Sequence, residues 1–283
     1  MALVATRAPV STTPPRPPTP ISEPWTSSPR TYTTSSIAGV STPRILATSG
    51  GFVPGPVQQS ARLGDMLLEA LTLTGATRPR VCLVLTASGD DAAYYALLYA
   101  AFNAAGCDVT DLKLFPQPSA PPEEQLATSD LVWVGGGSVA NLLSLWELHG
   151  VNTAMRDAWE HGVILAGVSA GSLCWHVGGP TDSFGPMLRS VENGLGLVPY
   201  ANGVHYDSEA QRRPLLQQVV GTGNLPNVAY ATDDHVGLWY EGTEAIRVVA
   251  DVPTSPHDGP AAYVVTRVNG AVEERRVGVG EFL

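Results

Sequence analysis

The stretch Val163-Ile164-Leu165-Ala166-Gly167-Val168-Ser169-Ala170-Gly171-Ser172-Leu173-Cys174-Trp175-His176 decides how the chain is read. Its first six residues are uncharged and suit a buried strand; the residues after Ser169 suit a helix. Ser169 therefore sits on a sharp strand-to-helix turn, with Gly167 and Gly171 on either side. Such a turn leaves no room for side chains at its flanks, so glycine and alanine are what its sterics demand. The apex side chain is lifted clear of the backbone, beside free N–H groups and the positive end of a helix dipole. A nucleophilic serine belongs there. The G-x-S-x-G pattern alone fits a plain glycine-rich turn equally well, but the strand before it and the helix after it favour the catalytic reading.

Upstream, residues 44–49, 81–86, 108–115 and 131–134 read as strands. Between and after them, residues 57–73, 90–105, 139–148 and 153–161 read as helices. That alternation predicts an α/β fold, a mostly parallel sheet with helices on both faces. The all-apolar strands fit, because central parallel strands are buried on both sides. Ligands on such sheets bind beyond the carboxyl ends of the strands, where Ser169 and the Gly135-Gly136-Gly137 loop both fall. Downstream, residues 207–220 read as a helix and 228–232, 236–240 and 245–250 as short strands. Residues 262–268 and 272–277 flank Asn269-Gly270, a strong hairpin signal, so the sheet is expected to gain an antiparallel C-terminal extension.

Of the 283 residues, 44% are hydrophobic, enough for one large α/β domain at 44–283. Residues 1–43 are rich in Pro, Ser and Thr; they are expected to be a disordered tail, lacking the apolar surface to offset ordering entropy. The net charge of −10 and the scattered 16 Lys and Arg argue against nonspecific nucleic-acid binding. No apolar stretch reaches the roughly 18–20 residues needed to span a bilayer, so no membrane partner is expected. Cys82, Cys107 and Cys174 have no metal-ligand spacing and read as reduced core thiols of a cytoplasmic protein. No metal and no organic cofactor are expected. The glycine triplet lacks the lysine of a phosphate-binding loop, which argues against nucleotides and leaves it as a tight turn or a cradle for an anion or oxyanion.

A serine hydroxyl near neutral pH needs a neighbouring base, usually a histidine oriented by a carboxylate. His205, in Gly203-Val204-His205-Tyr206-Asp207, follows a strand end and can reach the same sheet edge. His176 lies seven residues beyond Ser169 on the same predicted helix, roughly 10 Å along its axis, and points away. His149 and His161 read as exposed helix-end residues, His257 as a loop residue, and His235 as a weaker alternative beside Asp233-Asp234. Asp182 and Asp234 are the candidate acids; each also fits an ordinary turn or capping residue.

Val134-Gly135-Gly136-Gly137-Ser138, then Gly167-Val168-Ser169-Ala170-Gly171, then a histidine 36 residues on, resemble the peptidase E (dipeptidase E) and cyanophycinase family of serine peptidases. The likeness runs over about residues 44–241. It implies a flavodoxin-like sheet related to class I glutamine amidotransferases, with serine at the elbow where those enzymes carry cysteine. It implies Ser169 as nucleophile, His205 as base, and backbone N–H groups of Gly137 and Ala170 as the oxyanion hole. Asp234 and Asp182 each match an acidic position of the family; Asp234 is favoured for orienting His205, with Asp182 then placing substrate or a loop. Gly136, Ser138, Glu209 and Arg212 are the expected substrate contacts. Two positions depart from the family: Ser138 replaces the usual asparagine, and Glu209 stands where peptidase E carries an arginine for an aspartyl side chain. The expected activity is hydrolysis of short peptides without strict aspartate preference. A cyanophycinase-like hydrolase of an Asp-Arg polymer and a catalytically silent binding module on the same fold are the alternatives. A homodimer would follow from family analogy alone.

Overall fold

Successive side chains of a strand point to opposite faces of a sheet, and the apolar strands of this chain feed two separate cores. The chain is described by a computed structural model over residues 42–252 and 258–283. The tail expected at 1–43 thus lies almost wholly outside the described residues, as does His257. β1 (Arg44–Thr48) leads into a small hairpin of β2 (Phe52–Pro54) and β3 (Ala61–Leu63), then α1 (Asp65–Leu73). Next come β4 (Arg80–Val84), α2 (Ala92–Ala104), β5 (Asp108–Asp111) and α3 (Pro122–Ala127). β6 (Leu131–Val134), α4 (Val139–His149), α5 (Val151–Glu160), β7 (Ile164–Val168) and the one-turn α6 (Ala170–Leu173) follow. The second half contains β8 (Gly179–Thr181), β9 (Arg189–Val191), β10 (Ala201–Gly203), α7 (Arg212–Thr222) and β11 (Val228–Thr232). It closes with β12 (Val236–Glu241), β13 (Glu244–Ala250), β14 (Ala262–Val268) and β15 (Ala271–Val277).

The main sheet has seven strands in the order β13-β12-β1-β7-β6-β4-β5. It is parallel from β1 to β5, and β12 and β13 add antiparallel strands beside β1. On one face, Leu46, Val81, Leu83, Trp133 and Ala166 pack against α1 and α2. On the other, Ile45, Ala47, Cys82, Val132 and Leu165 pack against helices α3 to α6. All four residues of β6 are fully buried; each such large side chain contributes about 1.5–3 kcal/mol relative to exposure. α5 shows why its sequence is helical: Val151, Ala154, Met155, Ala158 and Trp159 form one buried stripe at helical spacing.

Beyond small shifts at element ends, the sequence expectations differ from the structure at five places, one being that the strand expected at 108–115 ends at Asp111. Residues 57–73 are not one helix, because the run is divided at Gly64. A Cβ on Gly64 would lie 2.1 Å from Asp251 Oδ1, and α1 starts only beyond that contact. α7 begins at Arg212 rather than 207, since the preceding residues form the turn that carries His205. The helix after Ser169 is one turn long; from Trp175 onward the N–H groups bond three residues back, to Ser172 and Leu173 carbonyls. The C-terminal strands divide: β12 and β13 extend the main sheet, whereas β11, β14 and β15 join β10 in a second sheet, covered by Leu216, Val219 and Val220 of α7. The strand end expected before His205 is β10, whereas strands β8 and β9 and helix α3 carry no strong periodicity and escape a sequence reading.

Residues 280–283 run along the outer edge of β13. Gly280 N–H donates to Val248 O at 2.9 Å, and Val248 N–H donates to Glu281 O at 3.3 Å. Among the described residues no helix is long and apolar enough to cross a membrane.

Candidate active site

The chain crosses from the second sheet to the main sheet at residues 233–235, between β11 and β12. β10 delivers His205 from the second sheet, and β7 delivers Ser169 from the first. The carboxyl end of β1 lies between them. Ser169, His205 and Asp234 are therefore all anchored at one seam.

Ser169 has φ 57° and ψ −110°, a backbone state that costs a non-glycine residue on the order of 1–3 kcal/mol. The surroundings hold it there. Ser169 N–H donates to Thr48 O at 3.1 Å, while its own carbonyl accepts the N–H groups of Ser172 and Leu173, both at 2.9 Å. The flanking glycines are required by close approach rather than by turn angle. A Cβ on Gly167 would sit 2.3 Å from Gly171 O, and one on Gly171 would sit 2.2 Å from Val134 O. Both clashes are with backbone, which cannot rotate away. Gly171→Ala is therefore expected to destabilise the fold by at least about 1–3 kcal/mol; an unchanged denaturant midpoint would refute this packing account.

The glycine triplet wraps the serine from the β6 side. A Cβ on Gly136 would come within 3.3 Å of Ser169 Cβ. Gly137 has φ +135°, and any side chain there would meet Ala87 O at 2.3 Å. The N–H groups of Gly137 and Ala170 have no hydrogen-bond partner among the described residues. Ser138 caps α4: its hydroxyl accepts the Asn141 N–H at 3.3 Å, and its own N–H donates to Ala87 O at 2.8 Å. Its hydroxyl is thus engaged by the helix end.

His205 has φ 53°, and its Nδ1 lies 2.6 Å from Asp234 Oδ1. Burial alone would raise the Asp234 carboxyl, but hydrogen bonds from His205 and Ser208, with the nearby His205 and His235 charges, hold it below the ordinary carboxylate range. The Asp234 N–H is fixed by Asp207 Oδ1 at 2.9 Å. Asp233, one residue earlier, turns inward. It is buried, accepts the Ala261 N–H at 2.9 Å and the Tyr263 hydroxyl at 3.2 Å, and burial pushes its carboxyl up. Adjacent aspartates thus occupy opposite environments.

Asp182 is largely exposed, and among the described residues no hydrogen bond joins it to His205. It lies 3.9 Å from the guanidinium of Arg212, which is buried. Arg212 donates through Nη1 to Pro180 O at 2.6 Å and through Nε to Glu209 Oε2 at 2.7 Å. Asp182, Glu209 and Arg212 therefore form one cluster tying the β8–β9 hairpin to the His205 turn. Gln211 adds to it, accepting from Leu188 N–H and donating to Pro186 O, each at 3.2 Å. On the hairpin's other side, Ser183 Oγ accepts the Ala140 N–H at 3.3 Å.

His176 is fully buried between Ser172 O and the Tyr240 hydroxyl, both at 2.9 Å, and burial lowers it to about 4. It is a neutral core residue. His161 caps α5 from an exposed position, and His235 is exposed with φ 66°. The sequence reading missed Ser49, whose hydroxyl accepts the His205 N–H at 3.1 Å. Polar Thr48-Ser49 closing an otherwise apolar parallel strand was the available signal, since such strand ends face the ligand.

The model of peptidase family S51 matches residues 45–248. An uncharacterized peptidase, YgaJ, from Bacillus subtilis (strain 168) is 36% identical over 197 residues, 70% of this chain and 82% of that protein. A peptidase E from Shewanella denitrificans is 26% identical over 142 residues, 47% of this chain and 59% of that protein. Among solved structures, a peptidase from an acI-B1 Actinobacterium shares the fold at 16% identity and a TM-score of 0.61, covering 87% of this chain and 98% of that one.

Proposed function

The chain belongs to peptidase family S51 and is a peptidase, and from that premise we propose that it hydrolyses short peptides by acyl transfer through Ser169, His205 and Asp234. The observation that carries this reading is the joint anchoring of the three groups. Ser169 N–H hangs on Thr48 O, His205 N–H hangs on the next residue's hydroxyl, and His205 Nδ1 meets Asp234 at 2.6 Å.

Asp234, held ionised, accepts the Nδ1–H and so fixes the tautomer that leaves Nε2 with its lone pair. Nε2 takes the Ser169 proton as Oγ attacks the peptide carbonyl. The oxyanion is received by the unpaired N–H groups of Gly137 and Ala170, a pair in which losing one donor typically costs about 10²–10³ in turnover. The imidazolium returns its proton to the leaving amine, and water then releases the acyl group by the same route.

Glu209 shapes the specificity. It stands beside Arg212 at 2.7 Å, with Asp182 on the same guanidinium, so the rim carries two carboxylates for one buried cation. A substrate aspartate gains little there. Ala-Leu and Phe-Leu are expected to be cleaved with kcat/KM within about tenfold of Asp-Leu, a span that one side-chain contact supplies. Strong selectivity for Asp-Leu would overturn this. A peptide-library digest beside Ser169→Ala identifies the cleaved end, and a fluorophosphonate probe should label native protein but not that variant. A native protein that neither labels nor cleaves would instead be the silent binding module.

A further inference from the structure

We propose that Ser49 is a positioning residue for the base, and that Thr48-Ser49 is the junction setting all three groups in register. This deepens the serine mechanism above and rests on it. β1 lies between β7, which carries Ser169, and β12, which follows the Asp234 turn. Its last residue, Thr48, and Ser49 just beyond it bond to every part. Thr48 O accepts the Ser169 N–H at 3.1 Å. Ser49 Oγ accepts the His205 N–H at 3.1 Å, and lies 2.7 Å from Thr232 Oγ1 and 3.1 Å from Thr232 O. The Ser49 backbone holds the Asp234 turn from both sides: its N–H donates to Val236 O at 2.8 Å, and its carbonyl accepts the His235 N–H at 3.0 Å.

The hydroxyl has a specific task. His205 stands at φ 53°, a left-handed state that few non-glycine residues adopt unaided. Its N–H faces a buried site, where Ser49 is 4% exposed. A buried N–H needs an acceptor, and Ser49 supplies it while handing its own proton to Thr232. Ser49 acts through the backbone that aims the imidazole.

The test compares Ser49→Ala, Ser49→Thr and Ser49→Cys, each assayed well below its own Tm. Because a small misplacement of the base costs up to about 10²-fold, Ser49→Ala should lose about 10–100-fold in kcat with KM within about twofold, while Ser49→Thr, which keeps the hydroxyl, recovers most of that loss. The rate of fluorophosphonate labelling should fall in parallel with kcat. Equal kcat in Ser49→Ala and native protein overturns the inference, as does equal impairment of Ser49→Ala and Ser49→Thr, which would assign the effect to packing. Should Ser49→Ala fail to fold, Ser49→Cys decides: its thiol is a much weaker acceptor for the His205 N–H, and a kcat unchanged from native overturns the proposal. Absence of labelling and hydrolysis in native protein would instead sink the serine mechanism itself.

Discussion

Replacing Ser169 by alanine is expected to lower kcat by about 10⁶ and to abolish fluorophosphonate labelling, with the fold intact. The magnitude follows from what remains: without the nucleophile, binding and oxyanion donors alone leave only a residual rate, as removal of a triad serine does elsewhere. The fold should survive because alanine keeps the same Cβ, and Ser169 holds its neighbours through backbone atoms only. Ser169→Gly makes a sharper companion. Glycine relieves the φ of 57°, so this variant should be as inactive as alanine yet more stable by about 1 kcal/mol or more. More than about 1% of native kcat in Ser169→Ala, measured on a cleaved dipeptide, would mean that another group attacks, since triad nucleophiles do not leave so much.

Asp234→Asn is the second large effect, a loss of up to about 10⁴ in kcat, because an amide at this position can trap the wrong imidazole tautomer. Asp182→Asn should change kcat by no more than about threefold, since Asp182 meets only Arg212 at 3.9 Å from a largely exposed position. The reverse pattern would exchange their roles. Acid behaviour provides a check on sign. The Asp234 carboxyl is held below its ordinary range, so its contribution is complete above the unfolded carboxylate value and is lost only as pH falls through the depressed folded value. Asp233 runs the other way: burial raises it, so between the unfolded value and the raised folded one, rising pH works against the fold. Activity lost above about pH 5 therefore belongs to neither the ionisation of Asp234 nor its fold contribution.

The parallel core was legible because its central strands β6 and β7 are apolar without interruption and its helices keep one face. The sharp strand-to-helix turn at Ser169 was legible because two glycines flank a serine after such a strand, and the 2.2–2.3 Å approaches show why both are needed. Which of the adjacent Asp233 and Asp234 turns inward could not follow from composition. It depends on which side of one turn faces β1, and two neighbouring aspartates look alike until one is buried against Ala261 and Tyr263. Arg212 and Glu209 were expected at the substrate, whereas the arginine is buried against Pro180 O. A charge that folding neutralises internally looks the same in sequence as one offered to a ligand. Ser49 escaped for a related reason. The polar end of β1 was a local signal, but its partner lies 156 residues away, and nothing local says which group Ser49 serves.

The short run along β13 has a consequence for how copies of this protein behave in a crowded solution. The outermost strand of a sheet is normally an open row of amide donors and acceptors, ready to template another strand. Here the bonds at Ile246 and Val248 are already taken by Leu283, Glu281 and Gly280. Displacing residues 280–283 from β13 would uncover that row and let it pair with the strand of another copy, without touching the seam that holds Ser169, His205 and Asp234.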